Sequence, residues 1–142
     1  MERNTAITRG IFVSSIIYGI VWVCCLAWYW ISIAFSIPDG GWIMGYTLVA
    51  LYFALPLASA IASFFIGRES GFRLRRLLTP IAAGLFYALF TVATFSLSTA
   101  LGLANIASPN FATLIFGFAP AALGLIIGWL TSAKEKSPLL RR

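Results

Sequence analysis

The chain has no histidine, and charged residues make up only 10% of its 142 positions. Without histidine there is no imidazole for haem ligation, no His-type zinc site and no histidine general base. The carboxylates are Glu2, Asp39, Glu69 and Glu135, and none of them lies inside a long apolar run. Paired-carboxylate chemistry therefore has no candidates, and the buried ionisable relay of proton-coupled carriers is missing too. No glycine-rich phosphate loop occurs. Serine and threonine are plentiful, but the lysines that could activate them, Lys134 and Lys136, stand apart at the tail. The two cysteines, Cys24 and Cys25, are neighbours in the middle of an apolar run. Adjacent helical residues point in different directions, so neither a disulfide nor a metal site is expected, and both read as small buried hydrophobes. No enzyme activity and no cofactor are expected.

What the chain has instead is apolar surface: 61% hydrophobic residues and a mean hydropathy of +0.94. A soluble domain carries roughly 25% charged residues. A water-soluble fold of this length could not hide so much apolar surface, so its solvent is lipid. The first apolar run, from Gly10 to Pro38, is too long for the ~7–15-residue core of a signal peptide and reads as a retained span. Four spans emerge in a single domain covering residues 1–142: about Ile11–Ile37, Trp42–Gly67, Leu77–Leu103 and Phe111–Thr131. Pro38-Asp39-Gly40-Gly41 makes a dense turn signal between the first two. Pro80 falls in a first turn, where its missing N–H is tolerated. Pro56 and Pro120 lie inside the second and fourth spans, where each is expected to kink the helix and free a carbonyl.

All ten basic residues sit at the two termini and in one central loop: Arg3, Arg9, Arg68, Arg73, Arg75, Arg76, Lys134, Lys136, Arg141 and Arg142. Basic residues beside spans are retained on the cytoplasmic side. Both termini and the loop are therefore expected inside, facing anionic headgroups rather than nucleic acid. The count of ten inside and none outside disfavours a pair of oppositely inserted copies. Trp28, Tyr29, Trp30, Trp42 and Tyr46 gather toward the outer face and Trp129 near the inner one, as an aromatic belt requires, whereas Trp22 falls near mid-membrane. The absence of N-x-Ser/Thr acceptors is compatible with a bacterial inner membrane.

Within the spans, small and polar residues recur at intervals of three and four, which places them on single helix faces. Ser15, Tyr18, Trp22, Cys25, Tyr29, Ser32 and Ser36 stripe the first span, and Pro80, Gly84, Tyr87, Thr91, Thr94 and Ser98 the third. Thr113, Gly117, Ala121, Gly124, Gly128 and Thr131 stripe the fourth, while Tyr52, Pro56, Ser59 and Ser63 share a face of the second. Helices in lipid associate through close backbone approach at small residues and through polar side chains. The stripes are thus expected to be packing seams of a left-handed four-helix bundle built as two tandem hairpins, with Gly84, Gly117, Ala121, Gly124 and Gly128 as packing positions. Gly124 and Gly128 form a GxxxG pair, a motif that also serves dimers. Alternatively, Tyr18, Trp22, Tyr29, Tyr87, Thr91, Thr94 and Ser98 line a pocket of aromatic faces and neutral hydroxyls, suited to a lipid tail and badly suited to a bare ion. Arg68, Arg73, Arg75 and Arg76 are candidates for headgroup contact or for docking another membrane protein.

The leading expectation is a non-enzymatic subunit or regulator of a membrane assembly, acting through helix–helix contacts with another membrane protein or with itself. The alternative is a small carrier or flippase for a lipid-like or apolar substrate.

Overall fold

A computed structural model of the protein describes residues 2–35, 40–68, 77–106 and 112–136. Among these residues the chain is all-helical, with no strand. The first helix is Glu2–Ala34, the second covers residues 40–68, the third is Leu78–Ala100 and the fourth is Ala112–Lys136. Each holds at least 22 consecutive residues of high hydropathy, long enough to cross the ~30 Å hydrocarbon core, and the chain is an integral membrane protein. The turn residues 36–39 and loop residues 69–76, with Arg73, Arg75 and Arg76, lie outside the described residues.

The third helix stops short of the expected Leu103. Gly102 takes φ +69°, its N–H reaches the Thr99 carbonyl at 3.0 Å, and the Leu103 N–H reaches that of Ser98 at 2.9 Å. This is the double bond pattern of a Schellman end, which uses glycine because other residues resist positive φ. Hydropathy continues through Leu101 and Leu103 and so does not mark the stop.

The second helix contains a π segment, Thr47–Ala54, between the α-helical Gly40–Tyr46 and Leu55–Arg68. The Leu55 N–H bonds to the Ala50 carbonyl, five residues back. The next bond in that register would run from residue 56 to the Leu51 carbonyl, but residue 56 is proline and has no N–H. The Tyr87 hydroxyl donates to the Leu51 oxygen instead, at 2.9 Å. Lipid provides no water for a freed carbonyl, so a neighbouring helix must satisfy it. Tyr87→Phe is expected to lower unfolding free energy by about 1–3 kcal/mol, because it strands that carbonyl. In a Pro56→Ala background the backbone regains its N–H, and the same change is expected to cost clearly less. Equilibrium unfolding of the four proteins in the double-mutant cycle measures the coupling.

The second and third helices form the centre of the bundle, with the first and fourth on either side. In the hydropathic windows, 44% of residues are buried in the second and third helices and 22% in the first and fourth. The two flanks pack differently. The fourth helix meets the centre backbone to backbone. A Cβ added at Gly124 would run into the Ala60 backbone, one at Gly128 into that of Phe64, and one at Gly67 into that of Leu125. A Cβ at Gly117 would lie 2.8 Å from the Ala83 oxygen, and one at Gly84 would lie 3.1 Å from that of Leu114. Ala121 between them is fully buried. Close approach at small residues is how helices gain contact in lipid.

The first helix meets the centre through side chains. Trp22 Nε1 donates to the Phe86 carbonyl and Trp30 Nε1 to that of Ala93, each at 3.2 Å. Ala93 lies in a second π segment, Val92–Ser96, where the Leu97 N–H reaches back five residues to Val92.

Candidate functional site

The seam between the first and third helices is closed in one half of the bundle and open in the other. The closed half lies toward the junction of the first and second helices. There Tyr29 and Tyr46 are fully buried. Tyr29 packs its ring against Trp30, Trp42, Tyr46 and Phe95, with centroids 5.2–5.9 Å apart. Trp42 stacks on Tyr46 at 5.5 Å, and Trp28 meets Tyr46 edge-on at 5.1 Å. Aromatic pairs in such offset or edge-on arrangements contribute beyond the area they bury.

The tyrosine hydroxyls are tied down as well. Tyr46 donates to the Cys25 carbonyl at 2.9 Å. Tyr29 Oη lies 2.6 Å from Ser98 Oγ, which itself donates to the Phe95 carbonyl at 3.1 Å, so the serine accepts from the tyrosine. The result is an aromatic seal joining three helices.

Most of the residues expected to line a pocket belong to this closed packing. Tyr29, Tyr87, Thr91, Thr94 and Ser98 are buried. Thr91 donates to the Ala88 carbonyl and Thr94 to that of Phe90, each at 2.8 Å within its own helix. Such back-bonded hydroxyls have spent their proton within the helix and can only accept. These five lie in packing and hydrogen-bonded contacts, and none of them lines the cleft of the open half.

Tyr18 and Trp22 do line a cavity, in the open half. The cleft has a volume of ≈290 Å³. Ser59, Ala62, Ser63 and Ile66 of the second helix form its floor. Ser15, Tyr18, Gly19, Trp22 and Val23 form one wall, and Thr79, Ala82, Ala83 and Phe86 the other. Its mouth therefore lies between the first and third helices. The Ser59 hydroxyl is held by the Pro56 carbonyl at 2.8 Å. Tyr18 and Phe86 meet edge-on across the cleft at 6.5 Å, and Trp22 meets Phe90 at 5.6 Å. The Tyr18 hydroxyl is buried and has no hydrogen-bond partner among the described residues.

The second-helix stripe divides: Ser59 and Ser63 lie in this floor, whereas Tyr52 and Pro56 line a different groove. A second, wider groove of ≈640 Å³ runs between the second and fourth helices beside Pro56 and Pro120, with almost wholly apolar walls. Among the described residues no group of His, Cys, Asp and Glu is placed to hold a metal ion. Arg68 ends the second helix and is exposed. No family model, curated protein or solved structure matches the chain.

Proposed function

We propose that this protein is a small, non-enzymatic carrier that takes a lipid-like or apolar molecule from the bilayer into the cleft between its first and third helices. The observation that carries this is the pairing of an open cleft between two membrane-spanning helices with a sealed half beyond it. A closed seam along its whole length would have favoured packing alone. The fourth-helix glycines are all engaged within the chain, which removes the main sequence motive for assembly through small residues. By the distribution of basic residues, both termini and the central loop face the cytoplasm. The spans then form two tandem hairpins in a left-handed bundle, and the cleft lies in the inner half of a bacterial inner membrane, with anionic headgroups beside Arg68, Arg73, Arg75 and Arg76.

The test is what the purified protein carries. Apolar molecules extracted from it and quantified by mass spectrometry are expected near one per chain. Ser63→Leu, which replaces the hydroxyl oxygen in the floor with three carbons, is expected to remove most of this material, whereas Thr91→Val is expected to retain it. Equal retention by Ser63→Leu and the parent would overturn the carrier reading.

A second reading, a subunit of a membrane assembly, draws on the shallow burial of the first and fourth helices. It expects a specific partner in cross-linking from native membranes, and recovery of a lone chain would count against it.

A further inference from the structure

Resting on the carrier reading, we propose that the occupant of the cleft is a neutral single-chain or two-ring molecule bearing one hydrogen-bonding oxygen, which the Tyr18 hydroxyl recognises. Size sets the first limit. A dry cavity of about 150 Å³ holds one benzene ring, so ≈290 Å³ admits about two rings or a single chain segment. Ligand pockets begin at roughly 300 Å³, and a two-chain lipid would exceed this space.

Charge sets the second limit. Among the described residues no charged side chain lines the cleft, and a bare ion would find no compensation among its apolar walls. The faces of Tyr18, Trp22 and Phe86 suit a flat or thin apolar body.

The polar limit comes from the state of the hydroxyls and N–H groups in the walls. The Trp22 N–H is engaged by Phe86 and the Ser59 hydroxyl by Pro56. The Tyr18 hydroxyl alone is both buried and without a partner among the described residues. Native structures rarely leave such a group unpaired, and each instance calls for an explanation. A phenol both donates and accepts, so an ether, carbonyl or hydroxyl oxygen would satisfy it. The hydroxyl is enclosed in the empty protein, so the Tyr18 side chain has to turn toward the cleft to meet an occupant's oxygen; because the group is unpaired beforehand, the turn breaks no hydrogen bond among the described residues.

The full chain in nanodiscs, titrated with 2-naphthol and with 2-methylnaphthalene, tests this directly. The two probes share a ring system and differ in the oxygen. The parent protein is expected to prefer 2-naphthol by about tenfold after correction for partition into empty nanodiscs, as one hydrogen bond to an otherwise stranded group implies. Tyr18→Phe is expected to bind 2-methylnaphthalene as the parent does and to lose the preference. It is also expected to unfold at the same temperature or higher when empty, since it removes a stranded hydroxyl. Ser63→Leu and Ala83→Leu, each filling the cleft from a different helix, are expected to abolish binding of both probes. If Tyr18→Phe keeps the tenfold preference while the filled variants lose binding, the role of Tyr18 is overturned and the carrier reading stands. If neither probe binds the parent, or the filled variants bind as well as the parent, the cleft is not a site and both fall.

Discussion

Gly124→Leu is expected to destabilise the protein by at least about 3 kcal/mol, at or beyond the upper end for overpacked positions. An added Cβ at this position would lie 2.8 Å from the Ala60 carbonyl carbon and closer still to its oxygen. The obstacle is backbone, which cannot rotate away as the end of a side chain can. The fourth helix would have to move outward, and that would loosen the neighbouring contacts of Gly128 with Phe64 and of Gly67 with Leu125. Gly19→Ala and Gly45→Ala provide the contrast. Apart from its own turn of helix, neither position has an atom within 4 Å of the added carbon. Each is expected to be neutral, or to stabilise by up to about 1 kcal/mol through improved helix propensity. Equilibrium unfolding in mild detergent separates the two classes. A Gly124→Leu protein as stable as Gly19→Ala would mean that the fourth helix does not pack on the second as described.

Tyr29→Ala is expected to cost about 3–5 kcal/mol, the range for deleting a buried aromatic side chain. Tyr29 is fully buried, touches four other rings and bonds to Ser98. Tyr29→Phe keeps the ring and is expected to cost only about 1 kcal/mol, the net worth of one hydrogen bond. The difference between the two substitutions reports how much of the seal is ring packing. Because the seal joins the first, second and third helices at one end, Tyr29→Ala is also expected to raise proteolytic cleavage of the first helix before that of the fourth. Global unfolding at a single rate from all four helices would argue against a first helix held mainly by this cluster.

The four spans were legible in the sequence because lipid solvation imposes length and composition, and both can be read from one chain without knowing its neighbours. The packing role of Gly124 and Gly128 was partly legible for the same reason: small residues one turn apart mark a close approach. The motif could not say whether the approaching backbone belonged to this chain or to another, and the structure uses it within the chain. Tyr87 shows where periodicity runs out. Its place in a polar stripe put it on an inward face, but its role depends on a π turn and on Pro56 of another helix. Neither the extra residue in that turn nor the bond to Leu51 leaves a mark in the spacing. Thr91 and Thr94 make the same point from the other direction. A hydroxyl in a stripe can serve a ligand or its own helix, and the choice lies in a side-chain rotation that sequence does not carry. The cleft required three helices at once: Tyr18, Trp22 and Ser63 each stood in a stripe of its own helix, but no spacing within one helix could join them to each other or to Ala83.

The most direct measurement is photolabelling of the full chain in nanodiscs with a diazirine-bearing naphthyl probe, with adducts mapped by mass spectrometry. Carbene insertion at Gly19, Ser63, Ala83 and Phe86, suppressed in Ser63→Leu and absent from Ala121 and Gly128, is the result expected of an open first-helix side and a locked fourth-helix seam. Adducts confined to lipid-facing Phe12, Leu85 and Leu123, unchanged by Ser63→Leu, would contradict it.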